Sequence, residues 1–190
     1  MVCPRNANDL TPRALRGRDV LLRPACSDDA RRLAAWHSDP DFVGSFFDPW
    51  PESSDAWEER ISTRTPEEDT FLICERNSGE KPIGTAGYWN PYTLPRVFRG
   101  LEIWYKVHPS SRGRGVATQT ASLLLDHLFN SLPVERIQAT VVSANEASRR
   151  ALLRVGMQCE GILRRVYFLH GTYVDVDMFS IVREEWNTRA

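Results

Sequence analysis

The sequence predicts one α/β (α+β) domain built on a central mixed, mostly antiparallel sheet flanked by helices. Three observations carry this. The period of the apolar residues switches from helical to strand spacing near Thr70, and strands and helices then alternate before a closing hairpin. The 190 residues, 42% hydrophobic and 26% charged, suffice to bury a core without disulfide staples. No internal repeat or low-complexity run divides the chain.

The elements follow in order. Residues 1–17 are polar and contain Pro and Arg, and they read as a loose arm before a single domain over 18–190. Asp19 to Arg23 is a first strand. Ser27 with Asp28 and Asp29 starts a helix, a hydroxyl cap followed by acids that suit the dipole. That helix carries Leu33, Ala34 and Trp36 and stops before Asp39-Pro40. Phe42 to Pro51 is aromatic and Pro-broken, hence a loop. Ser53 or Ser54 caps a second helix through Trp57 and Ile61. Thr70–Glu75 and Pro82–Tyr88 form a hairpin about Asn77-Ser78-Gly79. Trp89 to Phe98 is a loop. Gly100 to Val107 alternates Leu101, Ile103, Tyr105 and Val107 against Glu102, Trp104 and Lys106. A Ser/Arg/Gly loop follows, then a helix from Val116 to Leu132 with Ala121, Leu124, Leu125 and Leu128 on one face. Arg136–Val142 is a strand. Asn145–Arg154 is a helix ended by Gly156. Val166–Leu169 and Tyr173–Val182 close the chain as a hairpin about His170-Gly171.

Composition excludes several functions. The net charge of −1 lacks the basic face that non-specific nucleic-acid binding needs, so no nucleic-acid partner is expected. No apolar run reaches membrane-spanning length, so no membrane role is expected either. The first ten residues hold no apolar signal core, which fits a cytoplasmic protein. Cys3, Cys26, Cys74 and Cys159 are far apart and read as reduced thiols. The four histidines show no metal spacing, and no metal is expected. The charge is nonetheless uneven. Between Asp39 and Asp69, ten acids face two arginines, a net of −8; between Arg96 and Arg114, five basic residues face Glu102, a net of +4.

The segment Arg112-Gly113-Arg114-Gly115-Val116-Ala117 is the most informative. A strand runs into it and a helix leaves it. Glycines let backbone approach a phosphate, and the first helical N–H groups lack partners. The helix dipole and two arginines add positive charge, so a diphosphate suits the site. There is no P-loop Lys, and Thr118 stands where a dinucleotide fingerprint needs its third Gly.

Arg112-x-x-Gly115-x-Ala117 matches the [Q/R]-x-x-G-x-[G/A] pyrophosphate loop of the GNAT superfamily of acyl-CoA N-acyltransferases. Asn145-x-x-Ser148 followed by Arg154-x-Gly156-Met157, together with Gly171-Thr172-Tyr173-Val174-Asp175 and Glu184-Glu185-Trp186, resembles the branch containing the ribosomal-protein N-terminal acetyltransferases. The resemblance covers roughly residues 18–186. It implies a GNAT-like sheet with a splayed strand pair, acetyl-CoA as acyl donor, and direct attack of a primary amine without a covalent enzyme intermediate. It places the pantetheine arm against backbone near Tyr105, Lys106 and Val107. It places the pyrophosphate on Arg112, Gly113, Arg114, Gly115, Val116, Ala117 and Thr118. Asn145 would hold the pantetheine, cap its helix, or both. Glu102 matches the acidic position that serves as general base, with a plain strand-surface carboxylate near Lys106 as the alternative. Ser148 or Tyr167 would reprotonate the leaving thiolate.

The acceptor amine, cationic by the charge pattern, would bind between the N-terminal helices and the closing hairpin. Trp36, Phe46, Phe47, Trp50 and Trp57 lie in that part of the chain beside Asp55, Glu58 and Glu59. His170 is a turn residue that could line this cleft, and His127 is structural or exposed. A small molecule and a peptide or protein N-terminus fit equally. The resemblance also allows a homodimer, and a non-catalytic acyl-CoA-binding regulatory module is the competing reading.

Overall fold

The computed structural model describes residues 13–49, 51–92 and 100–189. Eight strands form one sheet: β1 (Leu15–Arg16), β2 (Val20–Pro24), β3 (Asp69–Glu75), β4 (Lys81–Trp89), β5 (Gly100–Val107), β6 (Arg136–Val142), β7 (Gln158–Leu169) and β8 (Thr172–Val182). Their spatial order is β1-β2-β3-β4-β5-β6-β8-β7, antiparallel throughout except for β5 beside β6. The helices are α1 (Ala30–Ser38), α2 (Pro40–Val43), α3 (Ser54–Ser62), α4 (Val116–Ser131), α5 (Glu146–Arg154) and α6 (Arg183–Asn187).

Alternation along the strands divides the core between two faces. Leu101, Ile103, Ile137 and Ala139 pack with the apolar stripe Ala121, Leu124, Leu125 and Leu128 of α4 on one face. Leu21, Leu72 and Cys74 pack with Leu33 of α1 and Trp57 and Ile61 of α3 on the other. Burying a side chain of this size contributes about 2 kcal/mol. α4 packs along β5, the strand that carries Glu102, Tyr105, Lys106 and Val107 of the predicted site.

Several local expectations need correction. Ser27 does not cap α1. Ser27–Asp29 is a 3-10 turn in which the Asp29 carboxylate accepts the Cys26 N–H at 2.9 Å and is gripped by both terminal nitrogens of Arg23. The segment expected as a loop from Phe42 begins inside α2. Asp39 Oδ1 accepts the Asp41 N–H and Pro40 presets the first turn, which suffices for four residues. β7 starts at Gln158 rather than Val166. It is the sheet edge, exposed along nearly its whole length and bulged twice, so it shows no alternating pattern. Within the arm, Leu15–Arg16 pairs with Leu21 and Leu22. Residues 1–12, Trp50 and the loop over 93–99 lie outside the described residues. So does Cys3; Cys26, Cys74 and Cys159 form no disulfide among the described residues.

Candidate active site

β5 and β6 run parallel but pair only where Gly100, Leu101 and Glu102 meet Arg136, Ile137 and Gln138. Beyond Glu102, β5 continues on β4 as far as Val107, and β6 continues on β8 as far as Val142. The sheet therefore splays, as expected, and leaves strand backbone open on both sides of a wedge. A cleft of about 640 Å³ fills this region. Tyr105, Lys106 and Val107 form one wall, and Thr140, Val141 and Val142 the other. Gly113, Gly115, Val116, Ala117 and Thr118 lie at one end, with Asn145, Ser148 and Tyr167 along the side.

The glycine loop is built to accept an anion. Gly113 and Gly115 have φ of 75° and 76°, the left-handed region that a side chain strains. A Cβ at either position would meet nothing within 4 Å, so the space over the loop is open. Gly115 is the N-cap of α4, and the Gln119 N–H is the first to reach back to it, at 3.1 Å. The N–H groups of Val116, Ala117 and Thr118 are left to a ligand. These features fit a diphosphate. The two arginines have other duties. The Arg112 side chain donates to the carbonyls of Val107 at 2.9 Å and Phe42 at 2.7 Å, tying α2 to the end of β5, and its N–H is taken by Pro109 O. Arg114 pairs with Glu75.

α5 brings the hydroxyl. Asn145 caps it, Oδ1 accepting the Ser148 N–H at 3.1 Å, so the capping role is realised. Arg149 anchors the same helix to fully buried Asp177 of β8 at 2.6 Å. Ser148 Oγ thereby lies 2.9 Å from Tyr105 Oη. Burial pushes the Tyr105 phenol upward in pKa, partly opposed by its bond to Ser148, so it stays protonated at neutral pH. Tyr167 lines the cleft from β7.

Glu102 stands at the apex of the wedge. Its Oε1 accepts the Thr140 hydroxyl at 2.7 Å and its Oε2 the Gln138 amide at 3.0 Å. Gln138 is 5% exposed, and its own oxygen accepts Tyr92 Oη at 2.7 Å. Arg136 Nε, which can only donate, approaches that oxygen at 3.4 Å. The orientation of the amide is thereby set, and Glu102 is held from both sides. The sequence reading missed Gln138 and Thr140. A polar residue at alternate positions of β6 (Gln138, Thr140) was the available signal.

Glu102, Trp104 and Lys106 share the face of β5 opposite α4. Lys106 Nζ lies 3.4 Å from His37 Nδ1 and 4.9 Å from the centre of the Phe47 ring. Burial lowers the Lys106 pKa to about 8, with Glu52 opposing. Burial, with Lys106 and Arg60 nearby, lowers His37 to about 3, so its ring is neutral.

The aromatic and acidic residues expected around the acceptor do not all lie together. Phe46 and Phe47 line the cleft, while Trp57 is 2% exposed and belongs to the core, and Trp36 stacks on Phe42. Asp55, Glu58 and Glu59 lie exposed on α3 and touch neither cavity. A second recess of about 700 Å³ does lie between the N-terminal helices and the closing hairpin, lined by Asp39, Asp41, Phe47 and His170 among others. His170 adopts φ 49° in the hairpin turn, and its Nδ1 is 3.2 Å from Asp48. His127 packs edgewise on Phe71, in a structural role. Among the described residues no group of three or more His, Cys, Asp or Glu is placed to hold a metal ion, and no helix is long and apolar enough to cross a membrane.

A splayed parallel pair, a glycine-bordered helix start with open N–H groups at its mouth and a carboxylate at its apex fit the class of enzymes that draw an acyl group from a coenzyme A thioester. The acetyltransferase (GNAT) domain family matches residues 19–158, and the chain belongs to that family: it is an acetyl-CoA-dependent N-acetyltransferase. The uncharacterized N-acetyltransferase YoaA of Bacillus subtilis (strain 168) is 37% identical over 109 residues, which span 57% of this chain and 60% of that protein. Two solved structures share the fold. The ribosomal-protein-S5-alanine acetyltransferase of Vibrio fischeri superposes with a TM-score of 0.77 at 20% identity, over 91% of this chain and 98% of that one. The spermidine N-acetyltransferase of Vibrio cholerae, solved with CoA and spermine, gives 0.76 at 21% identity, over 89% and 98%.

Proposed function

We propose that this chain moves the acetyl group of acetyl-CoA to the primary amine of a small molecule or a peptide N-terminus by direct attack, with no covalent enzyme intermediate. The observation that carries this reading is Glu102 at the apex of the wedge, with both oxygens bonded to neutral donors. A carboxylate so held keeps lone pairs for an incoming ammonium or a bridging water, and so serves as the base that frees the amine.

Acetyl-CoA supplies the thioester. The chain supplies the rest. The open N–H groups of Gly113 to Thr118 receive the diphosphate, and Tyr105 to Val107 offer strand backbone to the amides of the arm. The Ser148 hydroxyl, backed at 2.9 Å by the protonated Tyr105 phenol, gives the departing thiolate its proton. Tyr167 lines the same cleft and is the rival donor. The amine arrives protonated through the recess that Asp39 and Asp41 line, where negative charge favours it.

Thiol release from acetyl-CoA over a panel of primary amines tests the reading. Turnover with at least one amine, reduced strongly in Glu102→Gln, is expected. No release with any amine, together with no heat of coenzyme binding, would overturn it.

A further inference from the structure

Among the described residues, Lys106 has a charge that no free carboxylate answers. It is one of two lysines in the chain, and its Nζ is mostly buried. An ammonium taken out of water needs an anionic partner or several acceptors. Its immediate neighbours are the neutral His37 ring, which accepts one of three N–H bonds, and the face of Phe47. The nearest carboxylate that acts on it, Glu52, is engaged by both terminal nitrogens of Arg60, at 2.8 and 2.9 Å. The remaining Lys106 donors border the cleft.

Its position says what would complete it. Glu102 and Lys106 lie on the same strand face, four residues apart, roughly 13 Å along an extended chain. Trp104 stands between them on that face. The stripe is thus a carboxylate, an indole and an ammonium in line, with the base at one end. Glu102 is held by Gln138 and Thr140, whereas the long Lys106 stem can bring its tip toward Glu102 and bracket a shorter molecule.

We propose that the acceptor carries an anionic group, a carboxylate or a phosphate, some bonds away from its amine, and that Lys106 recognises that group while Glu102 receives the amine proton. The inference rests on the amine-acetylation reading and names its substrate class. It separates the acceptor from a polyamine, which would place a second cation against Lys106. A charge-assisted contact of this kind is worth about tenfold in affinity.

The experiment compares ω-amino acids of increasing length with n-alkylamines of equal length, and phosphoethanolamine with ethanolamine. Spermidine is the cationic contrast. For each pair the ratio of kcat/KM is taken in the wild type, Lys106→Met and Lys106→Arg. The wild type should favour the anionic member of at least one pair by about tenfold. Lys106→Met should bring that ratio to about one, whatever it does to absolute rates, and Lys106→Arg should keep most of it. The carboxylate and phosphate pairs tell the two sources of charge apart. A preference for alkylamines or spermidine in the wild type overturns the proposal, as does a ratio that survives in Lys106→Met. An equal loss of kcat for all acceptors with the ratio intact also overturns it, because the ammonium would then act on acyl transfer. Calorimetry of the preferred anionic amine on CoA-loaded protein decides the point without turnover. Binding lost in Lys106→Met and kept in Lys106→Arg supports the proposal even if every acetylation assay fails, and binding indifferent to Lys106 overturns it.

Discussion

Gln138 Nε2 donates to Glu102 Oε2 across 3.0 Å, between two residues that face each other as the last pair before β5 and β6 part. The amide cannot turn round, because its oxygen already receives Tyr92 and Arg136. On the proposed reading of Glu102 as the base, Gln138 is its positioning residue. Gln138→Leu keeps the buried volume and removes the donor. It should lower kcat about tenfold, roughly the worth of one hydrogen bond to a charged group, while the KM for acetyl-CoA stays within twofold. Tyr92→Phe should give a smaller loss of the same kind. Steady-state kinetics with both substrates varied checks this, and a rise in coenzyme KM with kcat unchanged would contradict it.

Glu102 itself should matter more. Glu102→Gln is isosteric: its amide oxygen can accept from Gln138 and its NH2 can donate to the Thr140 hydroxyl oxygen, so the wedge stays intact while the carboxylate is lost. A fall in kcat of about 10² to 10⁴ is the usual worth of a general base. Coenzyme affinity by calorimetry should stay near the wild-type value. A variant that retains most of its kcat would return Glu102 to the role of a strand carboxylate.

How far the sequence reached depends on what each feature's signal is made of. Helices α4 and α5 were legible because each buries one regular face, and β3 because it is a short apolar run buried on both faces and followed by turn residues. β7 was half missed because an exposed, twice-bulged edge leaves no periodic trace. The glycine loop was legible because its residue types answer a local backbone need at Gly113 and Gly115. Arg112 was expected at the diphosphate, but its N–H is taken by Pro109 O and its side chain serves the carbonyls of Phe42 and Val107, contacts set by tertiary packing. The acidic stretch misled for a similar reason. Asp55, Glu58 and Glu59 are near Trp57 in sequence, yet the helix that buries Trp57 turns them outward. The links from Gln138 to Glu102 and from Tyr105 to Ser148 join residues 36 and 43 apart, and only the fold creates them.

The proton donor can be separated by paired variants. Ser148→Ala leaves the Tyr105 phenol buried without its partner and removes the hydroxyl that faces the cleft. Its kcat should fall about tenfold, with coenzyme binding weakened less. Tyr105→Phe should follow it, because the two act as one unit, and the double variant should lose little beyond either single one. Tyr167→Phe should be close to neutral. If Tyr167→Phe causes the larger loss, the roles of Ser148 and Tyr167 exchange.

The coenzyme cradle should be equally sharp. Gly115→Glu introduces a side chain and a negative charge at the proposed diphosphate site, at a φ of 76°. Coenzyme A affinity should drop by two orders of magnitude or more, roughly the loss of two charge-assisted contacts. Gly113→Ala meets no clash and carries only the left-handed strain, about 1 kcal/mol. It should lower the melting temperature by a few degrees and affinity only modestly. Equal effects of the two variants on affinity would mean that the loop's shape, rather than its open N–H groups, binds the diphosphate.

His37 should make the fold sensitive to acid. The ring is 8% exposed, packed on Trp57 with centroids 4.8 Å apart, and its Nε2 faces the Thr85 hydroxyl at 3.3 Å. Burial first, then the Lys106 and Arg60 charges, lower its pKa from 6.5 to about 3. The unfolded chain takes up a proton near pH 6.5 and the native protein resists until about pH 3. Between those values the unfolded state binds more protons, so this contribution is full above pH 6.5 and is lost as pH falls toward 3. Asp69 works in the opposite sense. Burial lifts its carboxyl from 3.8 to about 6, so the native protein holds that proton longer and gains as pH falls from 6 toward 3.8. The net acid slope mixes both, and the difference between wild type and His37→Gln isolates the histidine. Gln keeps a polar group for Thr85 but cannot titrate. Urea unfolding at pH 7.5 and 4.5 should show the wild type losing up to a few kcal/mol more than His37→Gln over that interval. Parallel losses would place the acid sensitivity elsewhere.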